Sequence, residues 1–152
     1  MCDFIARKEN IVLIGNPGTG KTHLAISLGL LACDLGFSVR FYTAGELVNK
    51  LVEAQTTQKC LHLMSLLSHV DLLIIDELSY LTMCRASAEL LFQIISVRNE
   101  RASLIVTSNL DFAQWTEIFG DPRLTAAVVD RMNHNSYIIY THGPSYRQKQ
   151  RL

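Results

Sequence analysis

The run Gly15-Asn16-Pro17-Gly18-Thr19-Gly20-Lys21-Thr22 fits the pattern G-x-x-x-x-G-K-[ST], the Walker A phosphate loop. Glycines let backbone N–H groups turn inward around phosphate oxygens, and the N-terminus of a following helix adds partial positive charge. Lys21 has the charge and reach to contact the β- and γ-phosphates of ATP, and the Thr22 hydroxyl can ligate Mg2+. His23 completes the stretch expected to contact the nucleotide. A glycine-rich turn with an accidental lysine would show the same letters. The surroundings argue against it: the apolar run Ile11-Val12-Leu13-Ile14 leads into the loop, and a helical pattern leads out.

Two adjacent carboxylates, Asp76 and Glu77, end the apolar run Leu72-Leu73-Ile74-Ile75. In open α/β folds, ligands sit where strands release their C-terminal residues. There Asp76 can hold the Mg2+ shell, and Glu77 can orient or deprotonate an attacking water. Two acids after a strand are also what a solvated turn presents, but the phosphate loop about 60 residues upstream favours nucleotide chemistry. The second carboxylate points to hydrolysis more than to phosphoryl transfer onto a small substrate, which weakens a reading as a small-molecule kinase. A third apolar run, Leu104-Ile105-Val106, continues through Thr107-Ser108 to Asn109. A polar tip there could touch the γ-phosphate or the lytic water, although Ser-Asn after a strand is also an ordinary turn.

The elements that must carry these residues are visible as alternating patterns. Short apolar runs at 11–14, 39–43, 72–75, 104–106 and 137–140 read as strands. Leu24, Leu28, Leu31 and Leu35 recur at helical spacing, and Gly36 follows as a stop. Residues 45–69 read as one or two helices with a polar break at Gln55-Thr56-Thr57-Gln58, and Leu90, Leu91, Ile94 and Ile95 form one helical face. Continuously apolar strands require a sheet covered on both faces, and strands alternating with helices imply parallel crossovers. The expected fold is therefore three-layer α/β with about five strands, in one domain.

Composition removes several function classes. The chain has 152 residues, and 49% apolar residues suffice for a full core. Lys+Arg and Asp+Glu both number 14, so the formal net charge is zero, against disorder and against a wholly basic nucleic-acid coat protein. No apolar run reaches membrane-span length, and the first residues, MCDFIARKEN, lack a signal-peptide core, so no membrane partner and a cytoplasmic location are expected. Cysteines at 2, 33, 60 and 84 form no C-x-x-C pair, which argues against a disulfide framework or zinc site; Cys33 reads as a small buried hydrophobe.

Beyond these local readings, the ordered blocks GNPGTGKTHLAISLGLLAC, VRFYTAGELV, DLLIIDELSYL, LLFQIISVRNERASLIVTSNL, FGDPRLTAAVVDRM and SYR together resemble the AAA+ domain of IstB-like proteins. These are ATPase helpers of insertion-sequence transposases, related to DnaC-type helicase loaders. The resemblance implies the AAA+ P-loop NTPase core with a five-stranded parallel sheet in the order 5-1-4-3-2. It places Asn109 at the sensor 1 position, Arg131 as an arginine finger reaching a neighbouring subunit's nucleotide, and Arg147 at sensor 2. Read from chemistry alone, Arg131 could equally be a surface residue paired with Asp130 or with solvent, and Arg147 sits in a basic tail that reads as solvated. The resemblance further implies ATP and Mg2+ as cofactors and an ATP-dependent homo-oligomer on DNA that stimulates a transposase. IstB-like proteins usually carry another domain before the ATPase, whereas here about ten residues precede the first strand. Residues 1–152 are thus expected to be a single AAA+ domain without it, and with no full helical lid. The loop Ser79-Tyr80-Leu81-Thr82 lacks the family's usual proline.

Basic residues are scattered (Arg7, Lys8, Arg40, Lys50, Lys59, Arg85, Arg98 and Arg101), with the densest patch at 147–151. Lys50 and Lys59 flank the polar break and are the candidates for DNA contact, because this clade tends to place DNA-binding elements between its second and third strands; a solvated helix–loop is the plain alternative. A replicative helicase loader and a non-hydrolysing nucleotide-binding remnant remain the competing functions.

Overall fold

Side chains alternate between the two faces of a strand, so a strand apolar at nearly every position must be covered on both sides. Three strands here meet that condition: β1 (Asn10–Gly15), β3 (Leu72–Asp76) and β4 (Ser103–Ser108) are buried at every position except Gly15. The computed structural model describes residues 2–79 and 83–141 of the chain. It joins those strands, all parallel, into a five-stranded sheet of order β2-β3-β4-β1-β5, with β2 (Val39–Thr43) and β5 (Ser136–Thr141) at the edges. This is the order 5-1-4-3-2 read from the opposite edge.

One face of the sheet, with Ile11, Leu13, Leu72, Ile74 and Ile105, is covered by α1 (Asp3–Ala6) and α2 (Lys21–Asp34). The other, with Val12, Ile14, Leu73, Ile75, Leu104 and Val106, packs against α3 (Ala44–Thr56), α4 (Cys60–His69), α5 (Arg85–Arg98), α6 (Thr116–Phe119) and α7 (Pro122–Asn133). Each fully buried Leu or Ile contributes roughly 1.5–3 kcal/mol, so both layers are needed to stabilise the inner strands. The expected one or two helices over 45–69 are two, interrupted at residues 57–59, where Gln58 takes a φ of 57°. α3 begins in a capping box: Glu46 N donates to Thr43 Oγ1 at 3.2 Å and Thr43 N to Glu46 Oε2 at 3.4 Å.

One expectation, for Cys33, fails on burial. In α2 the recurring leucines are not the most buried positions; Leu24 and Leu35 are exposed and Leu28 packs half-buried against the sheet, while Lys21, Ala25, Gly29 and Ala32 are buried. The helix packs closely on the sheet: a Cβ on Gly29 would sit 2.8 Å from Ile74 Cδ1, the outer end of that side chain, and small residues face inward. The same rotation leaves Cys33 exposed rather than buried. Arg98, one of the scattered cations, is buried in the last turn of α5. Its guanidinium donates to the carbonyls of Leu67 (2.6 Å), Val70 (2.8 Å) and Ser103 (2.7 Å), tying the end of α4 to the start of β4. Burial pushes its pKa down to about 10, opposed by the nearby Asp71 carboxylate. Among the described residues, no helix is long and apolar enough to cross a membrane.

Candidate nucleotide site

Parallel register brings the strand ends to one edge. Thr43 pairs with Asp76, Ile14 with Ser108, and Gly15 with Thr141. At this edge β1 opens into the phosphate loop. Gly15 is needed for close approach, since a Cβ there would lie 2.0 Å from Thr141 Oγ1 and 2.4 Å from the Thr141 carbonyl oxygen. Gly20, at the N-cap of α2, has a φ of +88° with open space around it; here the backbone conformation, not room, demands glycine.

Lys21 is buried at the head of α2. Its Nζ donates to the carbonyls of Gly15 and Asn16, each at 2.7 Å, and lies 3.4 Å from Thr19 Oγ1. Burial lowers its pKa, and the Asp76 carboxylate opposes that shift. Thr19 Oγ1 donates to the Asn16 carbonyl at 2.9 Å. Thr19 Oγ1 and Thr141 Oγ1 form a hydrogen-bonded pair at 2.6 Å, in which either hydroxyl can donate. The loop is thus held from below by Lys21 and from the side by β5. Asn16 and Pro17 are exposed, as is His23, whose carbonyl accepts from Ser27 Oγ at 2.8 Å.

Thr22 Oγ1 donates to Asp76, 2.9 Å from Oδ1 and 3.0 Å from Oδ2. Donation leaves the lone pairs of that hydroxyl available to a cation, and the buried Asp76 supplies a hard carboxylate oxygen beside it. Mg2+ takes few protein oxygens and completes its shell with water and phosphate, and this donor pair fits it. Glu77 is exposed just past Asp76 with a φ of 57°. Thr107 Oγ1 donates to Asp76 Oδ1 and accepts from Glu77 N at 2.9 Å, while the Thr107 carbonyl accepts from Leu78 N at 2.9 Å. Ser108 Oγ donates to the Leu78 carbonyl. Asn109 emerges exposed from β4, between the ends of β3 and β1.

The structure therefore gathers Lys21, Thr22, Asp76, Glu77 and Asn109 at one edge. It does not bring Arg131 there. Arg131 lies in the last turn of α7, which leads into β5 opposite Asn10, at the other end of the strands. A six-residue strand, roughly 20 Å long, lies between the end of α7 and the phosphate loop. Its Nη1 donates to the Ala127 carbonyl at 3.1 Å, and its guanidinium lies 4.7 Å from the Phe92 ring centroid. Arg147 and the 80–82 part of the loop after Glu77 lie outside the described residues. Lys50 and Lys59 are exposed, the Lys50 ammonium 6.0 Å from the Tyr42 ring centroid. Sequence reasoning missed Thr107 and Thr141; the available signal was a hydroxyl at the tip of a strand.

Fold and site together define a P-loop protein with the AAA+ core. The chain belongs to the IstB-like ATP binding protein family, whose model matches residues 1–152. It is 43% identical over 148 residues to the insertion sequence IS21 putative ATP-binding protein of Pseudomonas aeruginosa, covering 97% of this chain and 56% of that protein. It is 45% identical over 148 residues to the insertion sequence IS5376 putative ATP-binding protein of Geobacillus stearothermophilus, covering 97% of this chain and 59% of that protein. The chain thus spans little more than half the length of these relatives. Among solved structures, the replication initiator DnaA bound to AMPPCP and single-stranded DNA superposes with a TM-score of 0.79 at 20% identity, covering 93% of this chain and 44% of that one. The DnaC helicase loader superposes with a TM-score of 0.73 at 21% identity, covering 92% and 85%. These two likenesses establish the fold.

Proposed function

We propose that this chain is the ATP-hydrolysing part of an insertion-sequence helper protein in the cytoplasm, which assembles as an ATP-dependent homo-oligomer on DNA and assists the element's transposase. The observation that carries the reading is the convergence of Lys21, Thr22, Asp76 and Glu77 at one sheet edge, in a family whose members are named as insertion-sequence ATP-binding proteins.

The backbone of residues 15–20, with Lys21, would bind the phosphates, and Lys21 would exchange its loop carbonyls for β- and γ-phosphate oxygens. Thr22 and Asp76 would hold Mg2+, which supplies charge neutralisation at those oxygens. Glu77 takes the proton of a water whose oxygen bonds to the γ-phosphorus as the bond to the β,γ-bridging oxygen breaks, releasing ADP and phosphate. Asn109, beside Glu77 at the same edge, orients that water or contacts the γ-phosphate. Arg131 lies at the end of α7 remote from the phosphate loop, so its charge would serve a neighbouring chain's nucleotide; Arg147 is proposed to contact nucleotide from the tail. Lys50 and Lys59, exposed at α3 and before α4, are the proposed DNA contacts.

The test is ATP hydrolysis by the full-length protein with and without duplex DNA, alongside Glu77→Gln. The expected variant binds ATP normally and turns over about 100-fold or more slowly. DNA should bind more tightly with ATP than with ADP, with little sequence preference and a steep loss with salt. Wild-type turnover in Glu77→Gln would remove Glu77 from the mechanism. Hydrolysis that ignores DNA but responds to a replicative helicase would favour a helicase loader.

A further inference from the structure

We infer that Thr107 is a positioning residue of the nucleotide site, setting Asp76 and Glu77 through one side chain. The inference rests on the hydrolytic reading above for its consequence, but its geometry stands apart from it. The ladder between β3 and β4 pairs Ile75 with Val106, and beyond that pair Thr107 takes over. Glu77 is left-handed at φ 57°, a conformation that a non-glycine residue keeps only when its surroundings fix it. Here both flanking N–H groups are fixed by the same residue. Glu77 N donates to Thr107 Oγ1 at 2.9 Å, and Leu78 N donates to the Thr107 carbonyl at 2.9 Å.

The same hydroxyl gives its single hydrogen to Asp76 Oδ1. One oxygen thus orients the expected metal-holding carboxylate and anchors the backbone of the expected general base. Thr22 also donates to Asp76, but the acceptor of the Glu77 N–H is Thr107. Valine has nearly the shape of threonine but neither donates nor accepts. It would leave the Glu77 N–H without its acceptor and one Asp76 oxygen with one donor fewer. Asn109 lies two residues further along the same chain, so the polar tip of β4 and the two acids are built as one unit.

The experiment compares wild type, Thr107→Val and Thr107→Ser in steady-state hydrolysis and in amide hydrogen exchange at Glu77. In Thr107→Val, kcat should fall at least about tenfold, the scale of a misplaced catalytic group, with KM for Mg-ATP within about twofold. The Glu77 amide should exchange at least about tenfold faster than in wild type. Thr107→Ser, which keeps the hydroxyl, should lie within about threefold of wild type in both measurements. In the wild type itself, the Glu77 amide should be protected although its side chain is exposed.

Wild-type kcat and protection in Thr107→Val would overturn the proposal, as would a serine variant as impaired as the valine one. Exchange of the wild-type Glu77 amide at the rate of a free peptide would also overturn it, whatever the variants do. A wild type that binds ATP but does not hydrolyse it would overturn the hydrolytic reading alone, and the exchange comparison would still decide whether Thr107 holds Glu77.

Discussion

Lys21 is buried, yet among the described residues no carboxylate lies within hydrogen-bonding distance of it; its ammonium donates to two loop carbonyls. Burial disfavours its charged form, so in the free protein the proton leaves below the ordinary lysine pKa of 10.5, with Asp76 limiting the shift. A bound phosphate favours the charged form. The affinity that Lys21 contributes is therefore fully present at pH below its free-state pKa and is lost as pH rises through and beyond it. Titration of ATP binding against pH should be level through neutrality and decline before pH 10.5 is reached. Lys21→Ala should abolish useful affinity and remove that alkaline decline; unchanged affinity in this variant would contradict the phosphate-loop assignment. This part of the site was legible in the sequence because glycine, lysine and acid at fixed spacing are themselves the chemistry. Thr107 and Thr141 were not, because a threonine in a strand is an ordinary β-former until the register shows what its hydroxyl meets.

At the level of elements, the five strands could be read from their apolar runs, since a strand buried on both faces has no freedom to be polar. The inward face of α2 could not. Its burial depends on how closely the helix approaches the sheet, where Gly29 packs against Ile74, and the leucine period does not show this. Nor did the sequence mark Arg98 as a core residue. A cation is ordinarily a surface residue, but three main-chain carbonyls from separate segments converge on this one. Arg98→Leu would keep the apolar volume and leave those carbonyls without their donor. It should destabilise the fold by roughly 2–4 kcal/mol, seen in chemical denaturation as a lower midpoint with an unchanged slope. A midpoint equal to wild type would show that the carbonyls find other partners.

For the whole molecule, the geometry divides the proposed machinery between two ends of the sheet. The phosphate loop, Asp76, Glu77 and Asn109 occupy the C-terminal edge of the strands, while Arg131 sits near the N-terminal edge, stacked on Phe92. Within one chain, the length of β5 lies between the end of α7 and the phosphate loop. If Arg131 contributes to hydrolysis, it does so from one chain to the next, and each complete site contains two chains. Hydrolysis per chain should then rise with protein concentration as assembly completes the sites. The resemblance supplied the role of Arg131; the fold adds that the end of α7 lies at the opposite end of the strands from the phosphate loop.

The central claim, a hydrolytic site shared between chains, is tested most directly by mixing Arg131→Ala with Lys21→Ala and measuring ATP hydrolysis. Arg131→Ala alone should bind ATP through Lys21 and Thr22, yet lose on the order of a thousandfold in rate, the scale of an arginine finger. Lys21→Ala alone should be inactive because it does not bind. In the mixture, some interfaces join an intact phosphate loop to an intact Arg131 from the other variant, so activity should return well above the sum of the two. Near-normal hydrolysis by Arg131→Ala alone, or no gain on mixing, would contradict the shared site.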